Sequence, residues 1–204
     1  MLITGIKSKP IYAPLRFDAG GRFHVMLGLG VGREPLRRVL TEVQDQQAKA
    51  LARTEVLYVP AASDAGSAAD HFSLPGLTSI RLFGNSSALL EDFRVLLDRA
   101  LMGTRLYVAG PESFIGMAMK VALDFNLNKD EIRAEECGTL ARRIRCIHCR
   151  AITEEVKTNI VQCVGCRLWL LVRDHYSRRL AAYMGVMADA EAPGELPEIK
   201  EVFL

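Results

Sequence analysis

Four cysteines between positions 146 and 166 constrain this chain more than any other feature of its sequence. They form two Cys-x-x-Cys pairs, Cys146/Cys149 and Cys163/Cys166, with 13 residues between the pairs. Each pair places two sulfurs on one side of a tight turn, and two such turns can close a tetrahedron of thiolates around one ion. We therefore predict a structural metal site with no open coordination position, carried by a small β zinc ribbon.

The ion itself stays open between zinc and iron. Zinc is the expected ion, because closed sites of four cysteines are typical of structural zinc. A rubredoxin-type iron uses the same tetrahedral sulfur cage, so the spacing alone does not separate the two metals. Five cysteines in a chain without a recognisable secretory signal favour thiolates in a reducing cytoplasm over a disulfide framework.

The first 140 residues follow another pattern, in which short apolar runs alternate with amphipathic helical segments. Strands are predicted at 23–28, 55–61, 78–83, 105–110 and 132–134. Helices are predicted from Pro35, along a stripe from Leu89 to Leu101, and after Pro111. The alternation predicts an α/β domain with a parallel sheet over residues 1–140. The ribbon follows over 141–186, and an extended acidic tail over 187–204.

Two turns lie at the predicted carboxyl ends of strands, where ligands bind to parallel sheets. The first, GLGVGREP, holds Gly28, Gly30 and Gly32, and the second, AGPE, holds Gly110 and Pro111. Backbone N–H groups of such a turn can approach a pyrophosphate at the positive end of the following helix. A tight strand-to-helix turn without a ligand explains a G-x-G-x-G run equally well.

Together the two turns resemble the pyridine-nucleotide half of ferredoxin–NADP reductase-like enzymes over residues 20–137, with YVAGPESFIGMAMKVALDFNLNKDEIRAEE carrying much of the likeness. The chain departs from that family where Glu34 replaces a threonine, Ala109 replaces a cysteine, and VPAASDAG follows the second strand. No flavin-binding motif precedes the first strand. We therefore expect a retained fold with a degraded or absent nucleotide site. Cys137 is expected to be a small core residue.

The predicted ribbon is basic: between Leu140 and Arg179, nine Lys and Arg residues stand against three acidic ones, a net charge of +6. Nucleic-acid binding would use such cations on phosphates, with Trp169 stacking on a base. Neutralisation of a tetrathiolate by Arg150 and Arg167, or a protein interface, accounts for the same residues. The reductase-like turns favour a protein partner. The two ribbon histidines, His148 and His175, are predicted to be structural or solvated.

The whole arrangement is similar to the small-subunit family of bacterial dimethylamine monooxygenases, most specifically in the ribbon and the stretch DHYSRRLAAYMGV. The resemblance implies a heteromeric oxidoreductase that converts dimethylamine to methylamine and formaldehyde with NADPH and dioxygen. It implies haem, flavin and an iron–sulfur centre in partner subunits. This chain is then expected to be a cytoplasmic accessory subunit with structural zinc and no membrane segment. A nucleotide-binding electron-transfer component and a nucleic-acid-binding ribbon protein are the alternatives.

Overall fold

The computed structural model describes residues 8–62 and 70–204 of the 204-residue chain. The chain divides into two compact units, Tyr12–Gly138 and Thr139–Leu204, the second of which includes residues 8–11. None of the described helices is both long and apolar enough to cross a membrane. Residues 63–66, the second half of the stretch VPAASDAG, lie outside the described residues.

The first unit contains one parallel sheet of five strands, with the order β3-β2-β1-β4-β5. Its strands are β1 (Phe23–Leu29), β2 (Thr54–Val59), β3 (Ser79–Leu82), β4 (Thr104–Gly110) and β5 (Ile132–Glu136). Its helices are α1 (Arg33–Leu51), α2 (Ser86–Asp98) and α3 (Glu112–Asp124). The predicted α/β class with a parallel sheet is confirmed.

Both faces of this sheet are buried, which explains why its central strands read as nearly continuous apolar runs. Met26 of β1 packs on one face in a cluster with Leu36 and Val39 of α1. Its neighbours Val25 and Leu27 point the other way, into a cluster with α2 and α3. This alternation follows from the two-residue period of a strand. Each helix follows a parallel strand, so the helices start at the carboxyl edge of the sheet.

One predicted core position is wrong. The apolar stripe that begins at Leu89 was expected to continue to Leu101, but α2 ends at Asp98 and the Leu101 side chain is 64% exposed. The chain turns back into β4 at Gly103, whose φ of +89° favours glycine. A helix continued to Leu101 would leave no room for this turn.

The second unit contains a five-stranded sheet with the order β7-β6-β10-β9-β8. Its strands are β6 (Arg142–Cys146), β7 (Ile152–Val156), β8 (Ile160–Gln162), β9 (Trp169–Ser177) and β10 (Ala182–Met187). The pairs β6/β7 and β8/β9 are antiparallel, and each carries one Cys-x-x-Cys turn at its tip. Strand β10 lies between them, parallel to β6 and antiparallel to β9. One strand therefore joins the two cysteine-bearing hairpins.

The end of the tail is hydrogen-bonded to the turn between β7 and β8. The backbone N–H of Asn159 donates to the carbonyl oxygen of Lys200 at 3.0 Å, and its side-chain amide donates to that of Glu198 at 3.0 Å. The N–H of Val202 donates to the carbonyl oxygen of Lys157 at 2.9 Å. The last seven residues thus belong to the same compact unit as the ribbon.

Candidate metal centre

The two Cys-x-x-Cys turns have the same hydrogen-bonding pattern. In the first, the N–H of Cys146 donates to the carbonyl oxygen of Ala151 at 2.9 Å, and the N–H of Arg150 donates to that of Cys146 at 3.1 Å. The second turn repeats both bonds, at 2.9 Å from Cys163 and at 3.1 Å from Arg167. Because the turns match, each brings its two sulfurs to the same side of its hairpin.

The four sulfur atoms form a compact cluster, all within 4.8 Å of one another. Sγ of Cys146 lies 3.7 Å from Sγ of Cys166, and Sγ of Cys149 lies 3.5 Å from Sγ of Cys163. Sulfurs held tetrahedrally at about 2.3 Å from one ion would be about 3.8 Å apart. A disulfide would instead require about 2.05 Å. The cluster therefore fits one tetrahedrally bound metal ion, and its thiols are free.

The cluster has an inner and an outer side. Cys146 and Cys163 are fully buried and belong to the ribbon core with Ile144 and Leu170. Cys149 is exposed and Cys166 is half-buried. Each hairpin thus contributes one sulfur from the core and one from the surface. With all four sulfurs facing one another, no position is left for a substrate or a water ligand.

Hydrogen bonds and mutual contact separate the pKa values of the two outer thiols. A backbone hydrogen bond from Ala151 lowers the pKa of Cys149 to about 6, helped by the neighbouring sulfurs and opposed by burial. A backbone bond from Leu168 also favours the Cys166 thiolate, but burial and hydrogen bonds with the other three sulfurs raise its pKa to about 11. Four thiols this close cannot all ionise without a cation, so metal binding would release protons.

Two glycines that the sequence reasoning did not single out allow this close packing. A Cβ on Gly165 would lie 2.9 Å from Sγ of Cys149 and 2.8 Å from Cβ of Ala151. A Cβ on Gly185 of β10 would lie 2.7 Å from Cγ2 of Ile144. Only the position of Gly165 inside the second Cys-x-x-Cys turn could have indicated its role beforehand.

Part of the basic charge of the ribbon is structural. Arg142 Nη1 lies 2.8 Å from Oδ1 of Asp174, and the guanidinium carbon lies 4.1 Å from the centroid of the Tyr183 ring. Arg143 makes a pair of 2.9 Å contacts to the Glu154 carboxylate. These pairings were missed because they depend on strands and loops that are distant in sequence.

The predicted glycine turns meet at one edge of the parallel sheet. Gly28 of β1 lies beside Ala109 of β4 in the strand register. The strand order reverses between β1 and β4, which is the place where ligands bind to open parallel sheets. The sequence placed each turn at the carboxyl end of a strand, and the pairing of β1 with β4 brings the turn at 28–32 and the turn at 110–111 together.

Packing within the domain already accounts for Gly28 and Gly32 of the first turn, and a φ of +54° favours glycine at position 30. A Cβ on Gly32 would overlap the carbonyl group of Ala109, and a Cβ on Gly28 would lie 2.8 Å from Cδ1 of Leu36. The Tyr58 hydroxyl donates to the carbonyl oxygen of Gly30 at 2.6 Å. The turn is therefore already packed against other residues of the same domain.

Carboxyl groups occupy the first turns of the two helices that follow the glycine turns, Glu34 in α1 and Glu112 in α3. Glu34 is 62% exposed and its carboxylate lies 3.0 Å from the side chain of Arg33. A carboxylate at a helix N-terminus takes the place that a bound anion would otherwise occupy. The Glu34 carboxylate would repel a pyrophosphate at the start of α1.

Comparison with known proteins gives two matches that together span most of the chain. Residues 4–132 match the family described as "Dimethylamine monooxygenase subunit DmmA-like, N-terminal domain". Residues 143–186 match the corresponding C-terminal domain. The chain belongs to the DmmA-like family. The expected resemblance to the dimethylamine monooxygenase small subunit is thereby confirmed.

Among curated proteins, this DmmA-like chain is similar to the "Heme-dependent oxidative N-demethylase delta subunit" of Ectopseudomonas mendocina (strain ymp). The two are 34% identical over 124 residues, which is 60% of this chain and 67% of the relative.

Among solved structures, this chain is similar to a phthalate dioxygenase reductase, an intact type IV self-sufficient cytochrome P450 monooxygenase and a ferredoxin reductase in carbazole 1,9a-dioxygenase. Their identities to this chain are 11%, 16% and 13%, with TM-scores of 0.48, 0.47 and 0.43. The alignments cover 69%, 64% and 61% of the DmmA-like chain, but only 46%, 17% and 34% of those structures.

The other residues that the sequence analysis of this DmmA-like chain singled out do not belong to the four-sulfur cluster. His148 and His175 are exposed, and Trp169 is half-buried at the start of β9. Cys137 is half-buried after β5, and its N–H donates to the carbonyl oxygen of Gly110 at 3.0 Å. Burial, with the nearby carboxylates of Glu135 and Glu136, raises the pKa of the Cys137 thiol to about 11.

Proposed function

We propose that this chain is an accessory subunit of a haem-dependent, NADPH-consuming monooxygenase complex that demethylates dimethylamine to methylamine and formaldehyde. The observation that carries the accessory role is the closed cluster of four cysteines, which has no coordination position for a substrate. The family match and the similarity to an N-demethylase delta subunit support the complex. Haem, flavin and the iron–sulfur centre would then be held by partner subunits.

Zinc is the metal that we propose for Cys146, Cys149, Cys163 and Cys166. A tetrathiolate zinc site is redox-inactive, so its contribution would be to fold the ribbon and to hold its two hairpins together. The buried sulfurs of Cys146 and Cys163 would couple the ion to the ribbon core. Free thiols at this spacing are suited to a reducing compartment, which supports a cytoplasmic location.

The glycine-rich edge is proposed to be retained for packing, without a bound nucleotide. The internal contacts of Gly28 and Gly32, the Tyr58 hydrogen bond to Gly30, and the Glu34 carboxylate at the start of α1 support this view. The second candidate is a nucleotide-binding electron-transfer component. It is favoured by the meeting of the two turns where the strand order reverses.

The accessory role is tested by purifying the affinity-tagged full-length chain from its native host, with metal and chromophore analysis of every co-purifying subunit. We expect about one zinc per chain, with haem and flavin in the partners. Iron in this chain, seen as thiolate-to-metal absorption that follows the chain, would make it an electron carrier and contradict the accessory role.

Nucleotide binding is tested on the isolated full-length chain by titration with NADPH in a thermal unfolding assay. We expect no change in the unfolding midpoint, because a ligand stabilises only a protein that binds it. A saturable increase that is absent with adenosine alone would support the second candidate and contradict the packing role of the turn.

A further inference from the structure

We propose that the two cysteine turns form a docking surface for a partner subunit that presents carboxylates around an apolar socket. This knuckle surface consists of Ile147 and Arg150 from the first turn and Val164 and Arg167 from the second. The inference rests on the proposed accessory function and specifies which face makes the contact and which chemistry the partner supplies.

The apolar part of the knuckle surface consists of two aliphatic side chains at equivalent positions. Ile147 and Val164 each follow the first cysteine of their turn, and they are 47% and 59% exposed. Neither packs within the hydrophobic cluster of the ribbon core. A single exposed aliphatic residue is ordinary on a protein surface, but here one stands at the equivalent position of each of the two turns that hold the sulfur cluster.

The two arginines occupy a backbone conformation that is unfavourable for them. Arg150 and Arg167 each follow the second cysteine of their turn, with φ of +67° and +63°. Glycine adopts this left-handed region without steric cost, whereas a side chain with a Cβ is disfavoured there. The turns would therefore form more readily with glycine at both sites. Strained residues of this kind are concentrated at binding sites, which points to a use for the two guanidinium groups.

Both guanidinium groups are available to a partner. The ribbon carboxylates Glu154 and Asp174 are engaged by Arg143 and Arg142. Among residues 8–62 and 70–204, the exposed side chains of Arg150 and Arg167 make no ion pair. Arginine is enriched at protein interfaces and pairs with carboxylates in a fixed, two-pronged geometry. Charge complementarity therefore favours a partner surface with carboxylates opposite these two sites.

The surroundings of the first turn favour a protein over a nucleic acid. Ile147 and His148 share a groove of about 660 Å³ in which one arginine, Arg173, is outnumbered by three acidic residues, Asp189, Glu191 and Glu195. A duplex carries one negative charge about every 1.7 Å and cannot avoid these carboxylates. A folded protein can place its own carboxylates opposite the arginines alone. The aliphatic tips also offer no aromatic ring for base stacking.

The test is a binding titration of the full-length metal-loaded chain against the purified complex of the remaining N-demethylase subunits. The variant Arg150→Gly/Arg167→Gly removes both charges and relaxes both turns. We expect binding at least about tenfold weaker than wild type, with unchanged metal content and an unfolding midpoint equal or higher. Ile147→Ser/Val164→Ser should weaken binding to a similar extent.

Glu155→Gly is the matched control, because Glu155 is exposed, lies in the same ribbon and also has a positive φ, +53°. This control should bind as tightly as the wild-type chain.

Equal binding by the arginine variant and the wild-type chain would overturn the proposed knuckle surface while leaving the accessory role intact. Loss of metal from the arginine variant would overturn the proposal and show that the two arginines neutralise the charge of the thiolates. Loss of oligonucleotide binding alone would also overturn it and show that they bind nucleic acid. If the wild-type chain itself does not bind the complex, the proposed function fails.

Discussion

The guanidinium carbon of Arg142, at the start of β6, lies 3.8 Å from the centroid of the Phe203 ring near the end of the chain. The centroid of the Tyr183 ring lies 4.1 Å from the same carbon, and Oδ1 of Asp174 lies 2.8 Å from Nη1 of Arg142. Arg142 thus joins β6, β9, β10 and the last residues of the tail. Cation–π contacts of this desolvated kind contribute up to about 2 kcal/mol.

Removal of the terminal ring should release the tail. We expect Phe203→Ala to lower the free energy of unfolding of the ribbon by about 1–2 kcal/mol, because Arg142 loses one of its two aromatic contacts. Faster hydrogen exchange at Asn159 and Val202 would report the release. Leu204→Ala, at a side chain that is 67% exposed, should leave exchange unchanged. Equal effects of the two substitutions on hydrogen exchange would show that the contact between Arg142 and Phe203 does not hold the tail in place.

Loss of one inner sulfur should unfold the ribbon. Cys163→Ser replaces a fully buried ligand, so we expect loss of the metal and of near-ultraviolet circular dichroism from Tyr176 and Tyr183 in the ribbon core. Strong chelation of the wild-type chain should give the same state, because metal binding and folding are coupled in small sites of this kind. Cys137→Ser should keep a full complement of metal. Full metal content in Cys163→Ser would rule out the four-cysteine centre.

A methyl group at Gly165 should disturb the centre without removing a ligand. Its Cβ would lie 2.9 Å from Sγ of Cys149, so one turn must shift. We expect Gly165→Ala to cost about 1–3 kcal/mol of stability and to speed metal transfer to a chelator. Gly84→Ala is the control, since a Cβ at Gly84 meets no atom within 4 Å. Identical rates of metal transfer from both variants would show that the second turn accommodates a methyl group at position 165 without disturbing the sulfur cluster.

Acid should destabilise the α/β domain through His24. This side chain is 1% exposed on β1, and its Nδ1 lies 3.2 Å from the Tyr107 hydroxyl oxygen. Burial, with a smaller effect from Arg53, lowers its pKa from 6.5 to about 4. The unfolded chain therefore takes up a proton at higher pH than the folded chain does. Its contribution of about 3 kcal/mol is present above pH 6.5 and is lost as the pH falls towards 4.

Hydrogen exchange of β1 and β4 amides between pH 4 and 7, corrected for intrinsic exchange rates, should show this loss. His24→Gln should reduce the pH dependence of the protection, because glutamine does not titrate in this range. The exposed His175→Gln serves as the control and should leave the pH dependence unchanged. The assignment to His24 fails if His24→Gln retains the wild-type pH dependence.

Local sequence patterns were enough to predict most of the fold and all four cysteines of the sulfur cluster. The spacing of Cys146, Cys149, Cys163 and Cys166 indicated the cluster, because a Cys-x-x-Cys turn sets its own sulfur geometry within four residues. The alternation of apolar runs with amphipathic segments indicated the parallel sheet, and it placed both glycine turns at the carboxyl ends of strands. Both signals depend on neighbours within a few residues, so they can be read from one chain.

Contacts between segments that are distant in sequence could not be predicted in this way. The sequence contains β10 as an apolar stretch, but nothing local states that it pairs with β6 and β9 and so joins the hairpins. Nor does composition separate Arg142, which is enclosed by two rings, from Arg150, which is exposed in a left-handed turn. Periodicity alone also extended α2 to Leu101. Strand partners, ion pairs and helix ends are set by the free energy of the whole packed chain, and local sequence preference is only one part of it.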